Sequence, residues 1–287
     1  MTSTTLVQNQ LTLRERLRKA GWTQHVTLGV LLVLTFYPIV LMLLFSVKDN
    51  TQFVVQRYEL SFPLHFDNFP RAWRGNLFYY IINSVAYVLG GLLLTMVPAV
   101  LAAYSFARIR FFGRNVLFYM VISLFMIPWI LILLPAFYLV IDLGILSSRQ
   151  AFWLSYGAWG LPFAIFVLRT FFAGLPEDLF ESARVDGARE ARILWSIVLP
   201  LSKPIVGTLA LLQTYSIWND IIWATTINVN PDLKPIMVGL MQFTGLYRTQ
   251  YGPLNAGYVI ASIPMLVLFA FTSRLFVRGM MSGAIRM

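Results

Sequence analysis

Long apolar segments alternate with short polar segments along almost the whole chain. Five windows contain no Asp, Glu, Lys or Arg, and a sixth contains one such residue, Asp220; the windows are residues 26–47, 75–107, 115–141, 150–168, 204–231 and 249–273. A helix needs about 20 apolar residues to cross a bilayer, where its backbone polar groups must be bonded internally. The pattern therefore predicts an all-α membrane protein with six transmembrane helices.

Two of the segments between these windows are long, residues 48–76 and 223–250. They carry aromatic residues and prolines, among them Phe62, Pro63 and Trp73, instead of a solvated low-complexity composition. We expect both to fold onto the ends of the helices. The second window is longer than one helix requires, so its first residues are expected to belong to the preceding loop.

The composition agrees with a membrane protein. Of the residues, 58% are hydrophobic and 12% charged, and the mean hydropathy is +0.71, whereas a soluble domain has about 25% charged residues. The absence of cysteine excludes disulfides and thiolate metal sites. The first apolar window is too long for the core of a signal peptide and is read as a retained anchor.

The net charge of +10 would suggest nucleic-acid binding in a soluble protein. Here the basic residues are unevenly distributed. With a cytoplasmic N-terminus, 15 of the 22 Lys and Arg residues fall on the cytoplasmic side, while the acidic residues divide evenly. The charge is therefore a topology signal that places both termini in the cytoplasm, and no nucleic-acid partner is expected.

The most polar segment between two windows is residues 177–204, EDLFESARVDGAREARILWSIVLPLSKP, called the polar loop below. Helix-favouring residues run to Val185, with Glu177 and Asp178 suited to a helix N-terminus. Asp186 and Gly187 then interrupt: glycine allows a bend, and Asp186 is expected to cap the following helix.

A second amphipathic segment, Ala188 to Leu199, ends before Pro200 and Pro204, which disfavour a straight helix. We therefore expect two short helices at an angle along the membrane surface. The residues alone fit either an ordinary solvated amphipathic loop or an element that docks on another protein.

The order Glu-Ser-Ala, three residues, Gly, nine residues, Ile-x-Leu-Pro resembles the "EAA" loop of importer permeases in the ATP-binding cassette (ABC) class. Ser182 replaces the usual alanine. The segments LAAYSFARIRFFGRN, MIPWILILLPAFYLVIDLGILSS and PFAIFVLRTFFAGLPEDLFESARVDGA, with the tail FVRGMMSGAIRM, are similar to sugar-importing permeases. The likeness is to the second permease subunit of the maltose type.

The resemblance implies a type I ABC importer permease fold with a cytoplasmic coupling helix. Its parts would be a cytoplasmic segment (1–25), a first transmembrane helix with outer loop (26–76), the permease domain (77–275) and a cytoplasmic tail (276–287). It also implies that the EAA residues couple the chain to an ATPase; these are Glu181, Ser182, Ala183, Asp186, Gly187, Ile197, Leu199 and Pro200.

The implied partners are a sister permease subunit, an ATPase dimer, an extracytoplasmic sugar-binding protein and membrane lipid. ATP and Mg²⁺ would be bound by the ATPase, and this chain would be a non-catalytic subunit without a cofactor or metal site. The sequence agrees, because it has no G-x-x-x-x-G-K-[ST] phosphate loop. The expected location is a bacterial or archaeal cytoplasmic membrane.

Sugars are held by hydroxyl hydrogen bonds and aromatic faces. Candidate residues for a substrate path lie in the second and fifth windows; they are Asn83, Ser84, Tyr87, Gln213, Tyr215, Trp218, Asn219 and Asp220. The alternative is structural: Trp and Tyr form belts at membrane interfaces, and Asn or Ser join helices by hydrogen bonds. Asp220 could equally cap or pair with a neighbour.

Two other functions are weighed against a sugar importer. An ion-coupled secondary carrier needs an ionisable group deep in a span, and the nearest, Asp142 and Asp220, lie towards the span ends. An ABC importer for another solute, such as glycerol phosphate, would share the same motifs.

Overall fold

The computed structural model describes residues 21–245 and 247–284, with side chains, apart from that of Thr23, as far as Thr272. Within these residues the chain forms thirteen α-helices: α1 (Trp22–Ser46), α2 (Asn50–Val55), α3 (Asn68–Ala72), α4 (Phe78–Arg108), α5 (Arg114–Phe125), α6 (Trp129–Asp142), α7 (Arg149–Ala173), α8 (Asp178–Val185), α9 (Glu190–Ile193), α10 (Leu199–Trp218), α11 (Ile222–Ile227), α12 (Ile236–Leu240) and α13 (Tyr251–Ala284).

The predicted all-α architecture with six apolar spans is confirmed. Five helical segments are long and apolar enough to cross a bilayer, and a bent pair of helices supplies the sixth. The five contain α1, α4, α7, α10 and α13. Most of the predicted N-terminal segment, residues 1–20, lies outside the described residues, and the predicted tail is described as the backbone of α13 as far as Ala284.

The third predicted span differs from a single helix. α5 and α6 meet at a bend of 97° across Met126, Ile127 and Pro128. Pro128 has no backbone N–H to donate and disfavours helical geometry in the residue before it, so the helix stops there and restarts at Trp129. The hydropathy of the window gave no sign of this break.

The packing of α4 against α7 forms the centre of the bundle. Gly157 lies so close to α4 that a β-carbon there would approach Leu94 Cβ to 2.6 Å. The Thr95 hydroxyl donates to the carbonyl of Gly157 at 3.3 Å, and the Trp153 indole donates to that of Ala86 at 2.9 Å. Small residues and interhelical hydrogen bonds of this kind allow close helix approach in membranes.

The two long loops at the end of the bundle away from the polar loop are folded, as expected. Asn50, the first residue of α2, donates to the Thr249 carbonyl at 2.7 Å and accepts from the Tyr251 N–H at 2.9 Å. Phe53 stacks on the Tyr251 ring at 3.9 Å. The start of α4 is set apart by a kinked π-turn, Trp73–Leu77, so the first residues of the second window do belong to the loop.

Candidate functional site

The polar loop begins with α8, which has one buried and one exposed face. Phe180 and Ala183 are buried, whereas Glu181 and Ser182 are exposed and the Val185 side chain is 87% exposed. The buried face packs in an apolar cluster with residues of α4, α7 and α10. The opposite face, with the first two residues of the EAA pattern, is free to contact another molecule.

The bend after α8 is a complete Schellman motif. Gly187 has φ of +76°, its N–H donates to the Arg184 carbonyl at 3.0 Å, and the Ala188 N–H donates to the Ala183 carbonyl at 2.9 Å. These bonds supply donors to two carbonyls at the helix end that have no donor within α8. A β-carbon on Gly187 would meet nothing within 4 Å, so glycine is required by the backbone conformation and not by crowding.

The predicted capping role of Asp186 is wrong. Asp186 is the C-terminal cap residue of α8, and the residue before α9 is Arg189, which makes no side-chain cap bond. The Schellman turn uses Asp186 to complete the preceding helix, which leaves it three residues short of the next helix start.

The second short surface helix is also not separate. From Glu190 the chain runs through a π-turn, Leu194–Val198, directly into α10, and this whole segment counts as one span. The Leu199 N–H closes the π-turn on the Leu194 carbonyl, and Pro200 follows it in the first turn of α10. Ile197 and Leu199 are half-buried and Pro200 is exposed.

Arg108, the last residue of α4, joins three elements of this region. Its guanidinium donates to the Phe172 carbonyl at 2.8 and 3.1 Å and to the Leu175 carbonyl at 2.6 Å. It also pairs with the Glu177 carboxylate and lies 3.9 Å from the centre of the Phe180 ring. Its side chain is 8% exposed. Arg108 therefore closes the C-terminal end of α7 and holds the start of α8.

A second set of contacts returns from α8 to α4. Arg184 lies 3.6 Å from the second Glu177 oxygen and donates to Glu190 at 3.2 Å, and the Tyr104 hydroxyl donates to the other Glu190 oxygen at 2.5 Å. The bond to Glu190 raises the pKa of Arg184 above its usual value. Because Tyr104 and Arg108 are four residues apart on one helix face, the five side chains form a closed set, called the ion-pair ring below.

Sequence reasoning missed the ion-pair ring. In the sequence, Arg108 is one of the basic residues that make up the topology signal, and Tyr104 carries no motif. A usable signal was present: an arginine at the end of one span and a glutamate just after another can meet where two helices end together.

A cavity of about 790 Å³ lies between the broken third span, α7 and α10. Most of its lining is apolar or aromatic, including Trp129 and Trp159, whose ring centres are 6.0 Å apart. Its polar lining includes Gln213, Ser216 and Asp220. An apolar pocket with a few convergent polar groups is the usual form of a small-molecule site.

The structure brings two predicted path residues, Gln213 and Asp220, into this cavity. Gln213 donates to the Tyr156 carbonyl at 3.0 Å. Asp220 accepts from the Tyr156 hydroxyl at 2.8 Å and from the N–H groups of Trp223 and Ala224 at 3.3 and 2.9 Å. Asp220 thus caps α11, because α10 ends at Trp218 and does not fill the fifth window.

The predicted residues of the second window lie elsewhere and bind the loop after α11. Asn83 donates to the Asp232 carbonyl at 2.7 Å and Tyr87 to the Leu233 carbonyl at 2.7 Å, while the Ser84 hydroxyl accepts from the Ile236 N–H at 2.8 Å. All three side chains are buried. Their positions favour the structural interpretation over contact with a solute.

The remaining candidates do not line the cavity. Tyr215 is 64% exposed, and Asn219 is exposed and donates to the Tyr215 carbonyl at 2.9 Å. Trp218 is buried, and its indole N–H has no hydrogen-bond partner among the described residues. The aromatic lining residues Trp129 and Trp159 were missed because hydropathy does not distinguish a cavity wall from a lipid-facing surface.

Metal binding finds no support in the described part of the chain. Across residues 21–245 and 247–284, no group of three or more His, Asp or Glu side chains is arranged to hold a metal ion.

Comparison with known proteins gives a family match to about two thirds of the chain. The family described as "Binding-protein-dependent transport system inner membrane component" matches residues 91–280. The diacetylchitobiose uptake system permease protein NgcG of Streptomyces coelicolor is 28% identical over 94% of this chain and 90% of its own length. The arabinooligosaccharides transport system permease protein AraQ of Bacillus subtilis is 29% identical over 90% and 92%.

A solved structure has the same fold. A chain of a bacterial ABC transporter involved in the import of the acidic polysaccharide alginate superposes with a TM-score of 0.75. The two chains are 23% identical, and the superposition covers 93% of this chain and 99% of the other.

Substituting Gly187 should loosen the turn after α8 according to the backbone preference of the new residue. For Gly187→Val we expect hydrogen exchange at the amides of residues 187 and 188 to accelerate about tenfold, because left-handed backbone costs a β-branched residue roughly 1–2 kcal/mol. Gly187→Asn is the matched control, since asparagine tolerates this conformation. Equal exchange rates in the two variants would contradict this account of the turn.

Proposed function

The chain belongs to the family of binding-protein-dependent transport system inner membrane components, and we propose that it is the permease subunit through which an ATP-driven importer admits uncharged carbohydrates. The membership makes the chain the membrane component of an ABC importer. The proposal adds how it meets its ATPase, which side of the membrane the polar loop faces, and what class of solute it passes.

The observation that carries the proposal is the geometry of α8. A short helix is held at the end of the bundle by its buried face, while Glu181, Ser182 and Val185 remain exposed. A single exposed valine is ordinary on a solvated surface, but this face carries the first two residues of the EAA pattern in a chain of the importer family. We infer that this face contacts the ATPase, that Gly187 sets its angle, and that the continuous helix from Glu190 carries the chain back into the membrane.

The distribution of basic residues supports a cytoplasmic position for the polar loop. The connection between α4 and α5 and the polar loop lie at the same end of the bundle, because Arg108 and Glu177 are in contact. Both segments are rich in arginine, including Arg110, Arg114, Arg189 and Arg192. Short loops with excess Lys and Arg remain on the cytoplasmic side, where ATP is available.

The cavity supports an uncharged solute. Among its described lining residues there is no Lys or Arg, and the one ionisable carboxylate, Asp220, already accepts three hydrogen bonds. A phosphate or a uronic acid would meet a negative charge with no compensating cation, at a high desolvation cost. Tryptophan faces together with Gln213 and Ser216 suit the C–H surfaces and hydroxyls of a neutral sugar. The part of the cavity wall that this chain supplies therefore favours a neutral sugar over glycerol phosphate.

One chain leaves the cavity incompletely enclosed. Phe125 and Trp129 line it and are 59% and 41% exposed. We propose that a sister permease supplies the facing wall, that a binding protein delivers sugar at the end with the long loops, and that ATP binding to the ATPase dimer opens the cavity towards that end. The names of the relatives, which refer to diacetylchitobiose and arabinooligosaccharides, agree with an oligosaccharide solute.

A single-cysteine variant can test the contact and its side together, because the chain has no cysteine of its own. Ser182→Cys should react with a membrane-impermeant maleimide from the cytoplasmic side and crosslink to the ATPase subunit in the assembled transporter. Thr51→Cys, exposed in α2 at the opposite end, is the control and should react from outside without this crosslink. Labelling of residue 182 from outside would refute the proposal.

Removing the indole ring of Trp159 from the cavity wall should slow sugar uptake. For Trp159→Ala we expect kcat/KM for uptake to fall about tenfold, since one aromatic contact is worth roughly 0.5–1.5 kcal/mol beyond its area. The control is Trp22→Ala, because Trp22 is 82% exposed at the start of α1. Uptake inhibited by sugar phosphates but not by uncharged oligosaccharides would contradict the substrate class.

A further inference from the structure

The ion-pair ring connects both ends of α8 to α4. At the start of α8, Glu177 pairs with Arg108; near its end, Arg184 binds Glu190, which in turn accepts from Tyr104. Both routes arrive on the same face of α4. A displacement of α8 therefore acts on two points of α4, four residues apart. Because α8 is held at both points, it cannot pivot about either contact alone.

The two arms of the ring differ in strength. Arg184, Glu177 and Glu190 side chains are 40 to 53% exposed, and exposed ion pairs contribute little, about 0–1 kcal/mol. Arg108 is 8% exposed, and it combines three carbonyl hydrogen bonds, an ion pair and a ring contact. The planar fork of arginine allows these contacts at once, which the single ammonium of lysine cannot do.

Arg108 also joins α4 to α7 independently of α8. The carbonyls it binds, those of Phe172 and Leu175, are at and just beyond the C-terminal end of α7. The Phe172 carbonyl also accepts from the Leu175 N–H at 3.3 Å, so Arg108 adds to the bonds that end α7. One side chain thus ties the ends of α4 and α7 to the start of the polar loop.

We propose that the ion-pair ring is the joint through which displacement of α8 reaches α4 and α7, with Arg108 and Tyr104 as positioning residues for coupling. This rests on the proposed function, in which the exposed face of α8 contacts the ATPase. Without the ring, α8 would be joined to the spans only by its apolar face and its short connections, and less of its displacement would reach them. ATP would then be hydrolysed with little transport.

The test compares variants in the complete transporter, reconstituted with its ATPase, sister permease and binding protein. The variants are Arg108→Lys, which keeps the charge, and Tyr104→Phe, which removes one hydroxyl. We expect the quantity of assembled complex and its ATP hydrolysis to stay within about twofold, while sugar transported per ATP falls about tenfold for Arg108→Lys and about threefold for Tyr104→Phe. Arg110→Lys, exposed two residues after Arg108, is the matched control and should change neither.

A second comparison tests whether the side chains act as one unit. Tyr104→Phe and Arg184→Gln each break a bond to Glu190. If the ring acts as a unit, the double variant should transport about as much sugar per ATP as the worse single variant. If the losses in sugar transported per ATP multiply in the double variant, the two contacts are independent. That result would overturn the proposal that the ring acts as a unit.

A purely structural role predicts a different result. It would lower the quantity of assembled complex and leave sugar per ATP unchanged in the complexes that form, which would also overturn the proposal. Failure of the proposed function is separately visible, because the unmodified chain would then not assemble with an ATPase at all.

Discussion

The contacts of Arg108 at the end of the fourth span hold α4, α7 and the polar loop together, and the rest of this region depends on them. Helix α7 stops at Ala173, where the Gly174 and Leu175 N–H groups bond the carbonyls of its last turn. Arg108, at the end of α4, donates to the Phe172 carbonyl in this turn, and its guanidinium lies against the Phe180 ring of α8. Because that single side chain needs all three elements in place, the start of the polar loop is fixed relative to the centre of the bundle.

The two ends of the molecule then have different constructions. At the polar-loop end, charged side chains join helices to one another. At the opposite end, buried polar side chains such as Asn83 bind backbone carbonyls of folded loops. α4 connects the two, and its 31 residues correspond to about 47 Å of helix. A movement imposed on its last turn can therefore reach the end where the long loops lie, beside the cavity bounded by α7 and α10.

Hydropathy was sufficient to predict the spans and their number, because lipid imposes one strong requirement on every span. It missed the break at Pro128, since a proline within a span is usually tolerated; Pro98 and Pro162 lie inside continuous helices here. The EAA pattern predicted α8 and the bend at Gly187, which depend on local backbone geometry. It could not predict the contact of Arg108 with Phe172, residues 64 positions apart, or which aromatic side chains line a cavity, because these depend on how the helices pack.

The central claim is that α8 and α4 move as one body during the transport cycle. The most direct measurement is the distance between spin labels at Ser182→Cys and Val97→Cys, the latter on an exposed position of α4, in the assembled transporter with and without bound ATP. The account predicts an unchanged distance within this chain while the distance from residue 182 to a label on the sister permease changes. A shift of several ångströms between residues 182 and 97 would contradict it.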